Sequence, residues 1–392
     1  MTALRITLEQ ARHAWTVQQR LGAEKAKPRP IVDAMADIGW IAMPSPVTPY
    51  LALFTRGLIA KRADLDARLG DFAVVPGPRG STWFVPATEA PLARAFAVAD
   101  HATREARIAA TTTLPTRELA TTRELIRTLL STPITLDELR AKLPESALRS
   151  LGAPGRKAGM PTFASMVMRA MWVEGEVQRV SRDGRLDSPG VAWSIDPRPR
   201  VVPPAADAVA QVAARWFRAH GPVTARNFAN TFGTPTGRAM PAIRAARPID
   251  VTVEGIDETF LAAPQFAAPP LSLLPPRLLP ARDPISEVHL AMLASDEGVR
   301  RATTRAGFAA PIAIANGRAI ATWMFDPSRG AIDLSALDEP IAPDVQAALE
   351  REAARVAEFA RAELLTMSLH MPAAPVVRTR GGALANDLAI EM

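Results

Sequence analysis

Cysteine is absent from all 392 residues. Disulfides, thiolate nucleophiles and cysteine-ligated zinc are therefore excluded, and the absence fits a reducing compartment. Long hydrophobic runs are missing too: nowhere do about 18 apolar residues follow one another, so no segment reads as a membrane-spanning helix. Met1-Thr2-Ala3-Leu4-Arg5 leads straight into a charged amphipathic helix without a signal-peptide apolar core, and a cytoplasmic location is expected. Histidine is scarce. His13, His101, His220, His289 and His370 are scattered without metal-ligand spacing, so neither a metal nor a cofactor is expected. No phosphate loop, dinucleotide fingerprint or nucleophile elbow occurs.

What is present is an ordinary globular composition, 48% hydrophobic and 22% charged, long enough for two or three domains or an array of small units. Charge is unevenly placed. Residues 1–110 hold 14 basic and 10 acidic side chains, residues 111–255 hold 20 and 13, and residues 256–392 hold 12 and 17. A basic first two-thirds followed by an acidic last third suits a polyanion-binding surface with a non-binding appendage. Only five of the 46 cations are lysine, a bias that accounts for their identity but not for their placement.

Helix signals recur along the chain. Thr7 and Gln10 form a capping box for a first helix, and Ile31 to Ile38 is a second, stopped by Gly39. Pro44, Pro46 and Pro49 argue against regular structure between Trp40 and Tyr50, and a third helix is expected from Tyr50 to Ala60. Phe72–Val75 and Ser81–Val85 read as a hairpin around Pro-Gly-Pro-Arg-Gly. Next come helices at 117–130, from Thr135 (boxed by Glu138) and at 162–172, then strands 177–180 and 191–195 around Arg182-Asp183-Gly184-Arg185. Three helices and a hairpin are the order of a winged helix, in which the third helix enters the major groove and the wing touches phosphate. A similar order follows at 205–253, where Pro222-Val223-Thr224 echoes Pro133-Ile134-Thr135. Pro-rich stretches at 197–204 and 264–284 read as linkers or extended edges, Asn316-Gly317 as a hairpin turn, and 342–362 as a long closing helix. The expected fold is α+β, mainly α: an N-terminal unit over 1–110 with a site loop at 40–50, winged helices at 111–200 and 201–256, a β-rich domain with a helix at 257–365, and a tail at 366–392.

Taken together, Leu8-Glu9-Gln10-Ala11-Arg12, Ile38-Gly39, Leu53-Phe54-Thr55-Arg56, Arg79-Gly80-Ser81-Thr82 with Val85-Pro86-Ala87, Gly221-Pro222-Val223-Thr224 with Asn227-Phe228-Ala229, Leu278-Leu279-Pro280 with Asp283-Pro284, and Asn316-Gly317-Arg318 with Thr322-Trp323 resemble, in order and spacing, the AlkZ/YcaQ-like family of bacterial winged-helix proteins. That family includes DNA glycosylases acting on bulky alkyl adducts and interstrand crosslinks. The resemblance implies three tandem winged helices around a basic concave face.

It also implies a catalytic motif of glutamine, an apolar residue, then glutamine or aspartate. The matching positions are Ala42, Met43 and Pro44, and none can accept a proton or hold a water against a sugar–base bond. Trp83 stands where the resemblance implies a histidine. Ser45 and Thr48 are the nearby substitutes, though turn roles suit them as well. The expectation is a monomeric protein that binds double-stranded DNA, damaged DNA included, with impaired or altered catalysis. Two alternatives stay open: an active monofunctional glycosylase with a rearranged site, and a non-enzymatic transcriptional regulator. Arg56, Arg79, Arg156, Lys157, Arg169, Arg179, Arg182 and Arg185 are the candidate DNA contacts, and Trp40, Tyr50 and Trp83 the candidate lesion contacts. Trp15, Trp172, Trp193, Trp216 and Trp323 fall at apolar positions that suit a core.

Overall fold

The computed structural model describes residues 3–22, 29–188, 191–198, 201–338 and 340–365; the expected tail at 366–392 and His370 lie outside the described residues. The protein is mixed α+β, about half helical, with several small and mainly antiparallel sheets. It divides into two compact units, Met1–Arg68 with Val209–Gly382, and a second unit that includes Leu69–Ala208.

In the first unit Thr7 caps the Leu8–Gln18 helix: its hydroxyl accepts from the Gln10 N–H while the Gln10 side chain accepts from Thr7. The Leu4–Ile6 strand before it lies parallel to Ile249–Val253, which pairs antiparallel with Thr259–Ala262. A second sheet runs in the order Arg277–Leu279, Ile312–Ala315, Arg318–Asp326, Ala331–Ala336. Asn316 and Gly317, both at positive φ, make the tight turn between its central strands. A Cβ on Gly317 would lie 2.9 Å from the Cβ of Arg12, so the turn seats directly on the first helix. Both sheets feed one core with Ile6, Trp15, Val251, Phe260, Leu279, Ile285, Ile312 and Leu337.

The prolines of the site loop act differently from expectation. Helix begins at Thr48, not Tyr50, because Pro49 sits in the first turn, where its fixed φ suits the helix and its missing N–H costs nothing. It ends at Thr55, not Ala60: Gly57 takes φ +66° and the Leu58 N–H returns to the Leu53 carbonyl. Ile41–Ala42 is a short strand.

In the second unit Phe72–Pro76 pairs with Thr82–Pro86, and the long Ala90–Ala109 helix packs on that hairpin. Thr135 and Glu138 form the expected box at the start of Leu136–Lys142. Ala192–Ile195 lies between Ile134–Thr135 and Val177–Val180 in a three-stranded sheet. The Phe163–Val173 helix is buried along nearly its whole length, touched by Ala90–Ala109, Thr116–Leu129, Glu145–Leu148, Phe72–Pro76 and Val177–Val180. This corrects the expectation that it enters a DNA groove. Its sequence, Phe-Ala-Ser-Met-Val-Met-Arg-Ala-Met-Trp-Val, is apolar apart from Ser165 and Arg169, as suits an enclosed helix. The five core tryptophans are all buried, Trp15 donating to the Pro222 carbonyl and Trp323 to that of Leu279.

Two histidines belong to the interior of the first unit. His289 stacks on Trp15 with ring centroids 4.1 Å apart, and His220 lies 6.1 Å beyond. Burial, then the positive charge of Arg56, pushes His220 down to about 3; burial, then His220 itself, also lowers His289 well below its ordinary value. Both are therefore neutral when folded and take up protons near pH 6.5 only after unfolding. Folded stability is complete above that pH and is lost as pH falls from there toward about 3, with a slope on the order of 1.4 kcal/mol per pH unit per histidine. Melting temperature should drop between pH 6.5 and 4.5, and His289→Phe should flatten that drop. A variant with the wild-type pH dependence would contradict this reading.

Candidate functional site

Three chain segments meet at one guanidinium in the first unit. Arg56 donates from Nε to the Gln19 carbonyl at 2.9 Å and from Nη1 to Ala52 at 3.0 Å, and its fork holds both carboxylate oxygens of Asp283 at 2.7 Å. Both side chains are 0% exposed. Asp283 also accepts from the Ile285 N–H, capping the Pro284–Leu293 helix. Gln19 accepts from Arg56 at 3.3 Å and donates to the carbonyls of Ala219 at 2.7 Å and Ile38 at 3.1 Å. Ile38 ends the helix that precedes the motif strand. Gly39 follows at φ 84°, ψ −169°, a region open essentially to glycine alone, and a Cβ there would meet His220 Nε2 at 2.9 Å.

On this frame Trp40 is half-buried, its ring edge-on to Phe232 at 5.9 Å. Ala42 and Met43 are buried and Pro44 is partly exposed. Ser45 is buried and its carbonyl accepts the Thr48 N–H. Thr48 is wholly enclosed, and its hydroxyl has no hydrogen-bond partner among the described residues. Tyr50, also enclosed, donates to Asp66. Two cavities open on this unit, about 550 Å³ beside Asn316, Arg318 and Asp338 and about 360 Å³ beside Gln18, Arg20, Asp37 and Arg218; residues 40–50 line neither. Among the described residues no cluster of three or more acidic, histidine or cysteine side chains could hold a metal.

The second unit gathers some of the expected cations and internalises others. Arg104 donates to the Asp100 carboxylate at 2.7 Å and to the Ala158 carbonyl at 3.1 Å. Its other nitrogen lies 2.7 Å from where a Gly80 Cβ would stand, and Arg169 donates to the Gly80 carbonyl at 2.8 Å. Arg169 thus holds one loop, and Arg104 lies beside it and holds a second. The first presents Arg79, half-exposed at φ +60°, and the second presents Arg156 and Lys157, both exposed. Burial pushes Arg169 down to about 10 and His101 down to about 4.

Several expected contacts are corrected by burial. Arg56 and Arg169 are interior struts, Tyr50 and Thr48 are sealed, and Trp83 is buried with its indole N–H given to Pro78. Arg179 is half-buried, 6.0 Å from the Trp193 ring, and burial lowers it to about 10. On the hairpin tip Arg182 pairs with Glu138, and Arg185 forks onto buried Asp187 at 2.9 and 3.0 Å. Each already has a carboxylate partner, Arg182 in an exposed pair and Arg185 in a largely buried one.

The family model of AlkZ-like DNA glycosylases matches residues 35–359. The chain belongs to that family. A solved structure, Streptomyces sahachiroi DNA glycosylase AlkZ, is similar with a TM-score of 0.67 and 15% identity, covering 92% of this chain and 99% of that one. No curated protein matches. Within the frame around positions 38–56, Ala42, Met43 and Pro44 bring no polar side chain. Sequence reasoning missed Gln19 and Arg104, because each acts on backbone carbonyls far away in the chain. It also missed exposed Arg238, Arg244 and Arg247. The capping Thr224 and the Gly233 stop point to the last three, since they mark a helix–turn–helix just before them.

Gly39→Ala should destabilise the first unit by about 1–3 kcal/mol, the usual cost of a side chain in such a backbone region. Urea unfolding followed by tryptophan fluorescence measures it, and an unshifted midpoint would show that the frame tolerates a Cβ.

Proposed function

We propose that this member of the AlkZ-like family binds duplex DNA, including damaged DNA, as a monomer with impaired or altered base excision. Excision of a base requires a group 2.6–3.2 Å from a water, or one that stabilises charge developing on the sugar. Ala42, Met43 and Pro44 offer neither, and that observation carries the proposal. The order of helices and strands at 116–195 and 205–262 supports two winged helices, one enclosing its third helix and the other exposing it. The cations beside Arg104, namely Arg79, Arg156 and Lys157, suit a row of phosphates.

Incubation with an alkylated duplex tests the catalytic part. Retention of the duplex without release of free base is expected. Wild-type release of base would overturn the proposal, and loss of that release in a Ser45→Ala, Thr48→Ala variant would assign it to a rearranged site. For binding, the triple change Arg79→Ala, Arg156→Ala, Lys157→Ala should weaken affinity for every duplex alike. It should also flatten the dependence of log affinity on log salt by about two to three, near 0.9 per lost phosphate contact. An unchanged slope would remove this patch from the footprint.

A further inference from the structure

The Ala225–Phe232 and Thr236–Ala245 helices are joined by a turn at Gly233, which takes the left-handed conformation at φ 63°. The first is fastened from several sides. Thr224 caps it through the Asn227 N–H, the Asn227 side chain donates to the Val288 carbonyl at 2.8 Å, and Phe228 and Phe232 pack edge-on against Trp216. Phe232 also receives the Trp40 ring, so this helix pair directly supports the residue that leads into positions 41–45. The second helix buries Ala239, Ala242 and Ile243 and turns its other face to solvent.

That outward face has a definite layout. Its exposed residues are Thr236, Gly237, Arg238, Pro241, Arg244 and Ala245. At 3.6 residues per turn, Gly237, Pro241 and Ala245 fall on one central strip, and Arg238 and Arg244 flank it about 120° apart around the axis. Exposed Arg247 follows just past the helix end. None of the three guanidiniums has an ion pair or hydrogen bond among the described residues, in contrast to those of Arg182 and Arg185. On the neighbouring hairpin tip Asp257 is exposed, and exposed Glu254 and Glu258 pair with Arg5 and Arg226.

We propose that the Thr236–Ala245 helix grips duplex DNA through its phosphates without reading sequence. This rests on the DNA-binding reading above and deepens it. Base edges are told apart by side-chain donors and acceptors, and Gly237, Pro241 and Ala245 have none. Small side chains let the helix backbone lie close to the duplex, and the flanking guanidiniums reach the strands on either side. A helix of this kind suits a protein that must engage damage in any sequence, and it argues against a sequence-specific regulator.

The test uses the full chain and fluorescently labelled duplexes of several unrelated sequences, titrated over a range of salt. Arg238→Ala, Arg244→Ala, Arg247→Ala should raise Kd at least tenfold for every duplex and flatten the log–log salt slope by about two to three. The melting temperature should not change, and Arg351→Ala on the exposed side of the closing helix should leave binding as in wild type. Wild-type binding that survives the triple change overturns the proposal while leaving DNA binding itself intact. No wild-type binding to any duplex would instead bring down the underlying reading. A sequence selected from a random pool that binds more than tenfold tighter would overturn the claim of indifference to sequence.

Discussion

A guanidinium and a carboxylate sealed together from water hold the first unit around positions 38–56. Taking either charge out of water alone costs several kcal/mol, so Arg56 and Asp283 are tolerable inside only as a matched fork with their remaining hydrogen bonds satisfied. Those remaining bonds organise the neighbourhood. Arg56 holds the backbone of Gln19 and Ala52, and Gln19 in turn holds the helix end at Ile38 and the chain at Ala219. The sharp turn at Gly39 and the seating of Trp40 follow from where that helix end is held. The same buried positive charge helps to keep His220 neutral.

Arginine serves as internal framework in the second unit as well. Arg169 holds the turn at Gly80, Arg104 holds the Ala158 carbonyl, Arg94 pairs with buried Asp196, and Arg123 and Arg127 converge on Glu176. A basic composition is therefore a poor guide to a phosphate-binding surface until the internal struts are set aside. Exposed cations are left once those struts are set aside, among them Arg156 and Lys157 in one unit and Arg238, Arg244 and Arg247 in the other.

Local chemistry made much of the fold legible. The boxes at Thr7 and Thr135, the Asn316-Gly317 turn and the core tryptophans were readable because each signal is complete within a few residues. The roles of Arg56 and Arg169 were not, since their partners are 227 and 89 residues away and an arginine looks the same paired or free. The Phe163–Val173 helix was misjudged because fold-level analogy was weighted above its own apolar circumference. In the site loop local rules read proline as a breaker, whereas Pro49 lies in the first turn of a helix. The loss of polar groups at Ala42, Met43 and Pro44 was visible from sequence alone.

The most direct measurement of the buried fork is a double-mutant cycle on the full chain, with Arg56→Met, Asp283→Leu and both together, followed by urea unfolding. Each single change should cost about 3–5 kcal/mol by stranding a buried charge, and the double change should cost clearly less than the two combined. Small, additive losses would contradict the account, because the fork would then be a passenger in a frame held by something else.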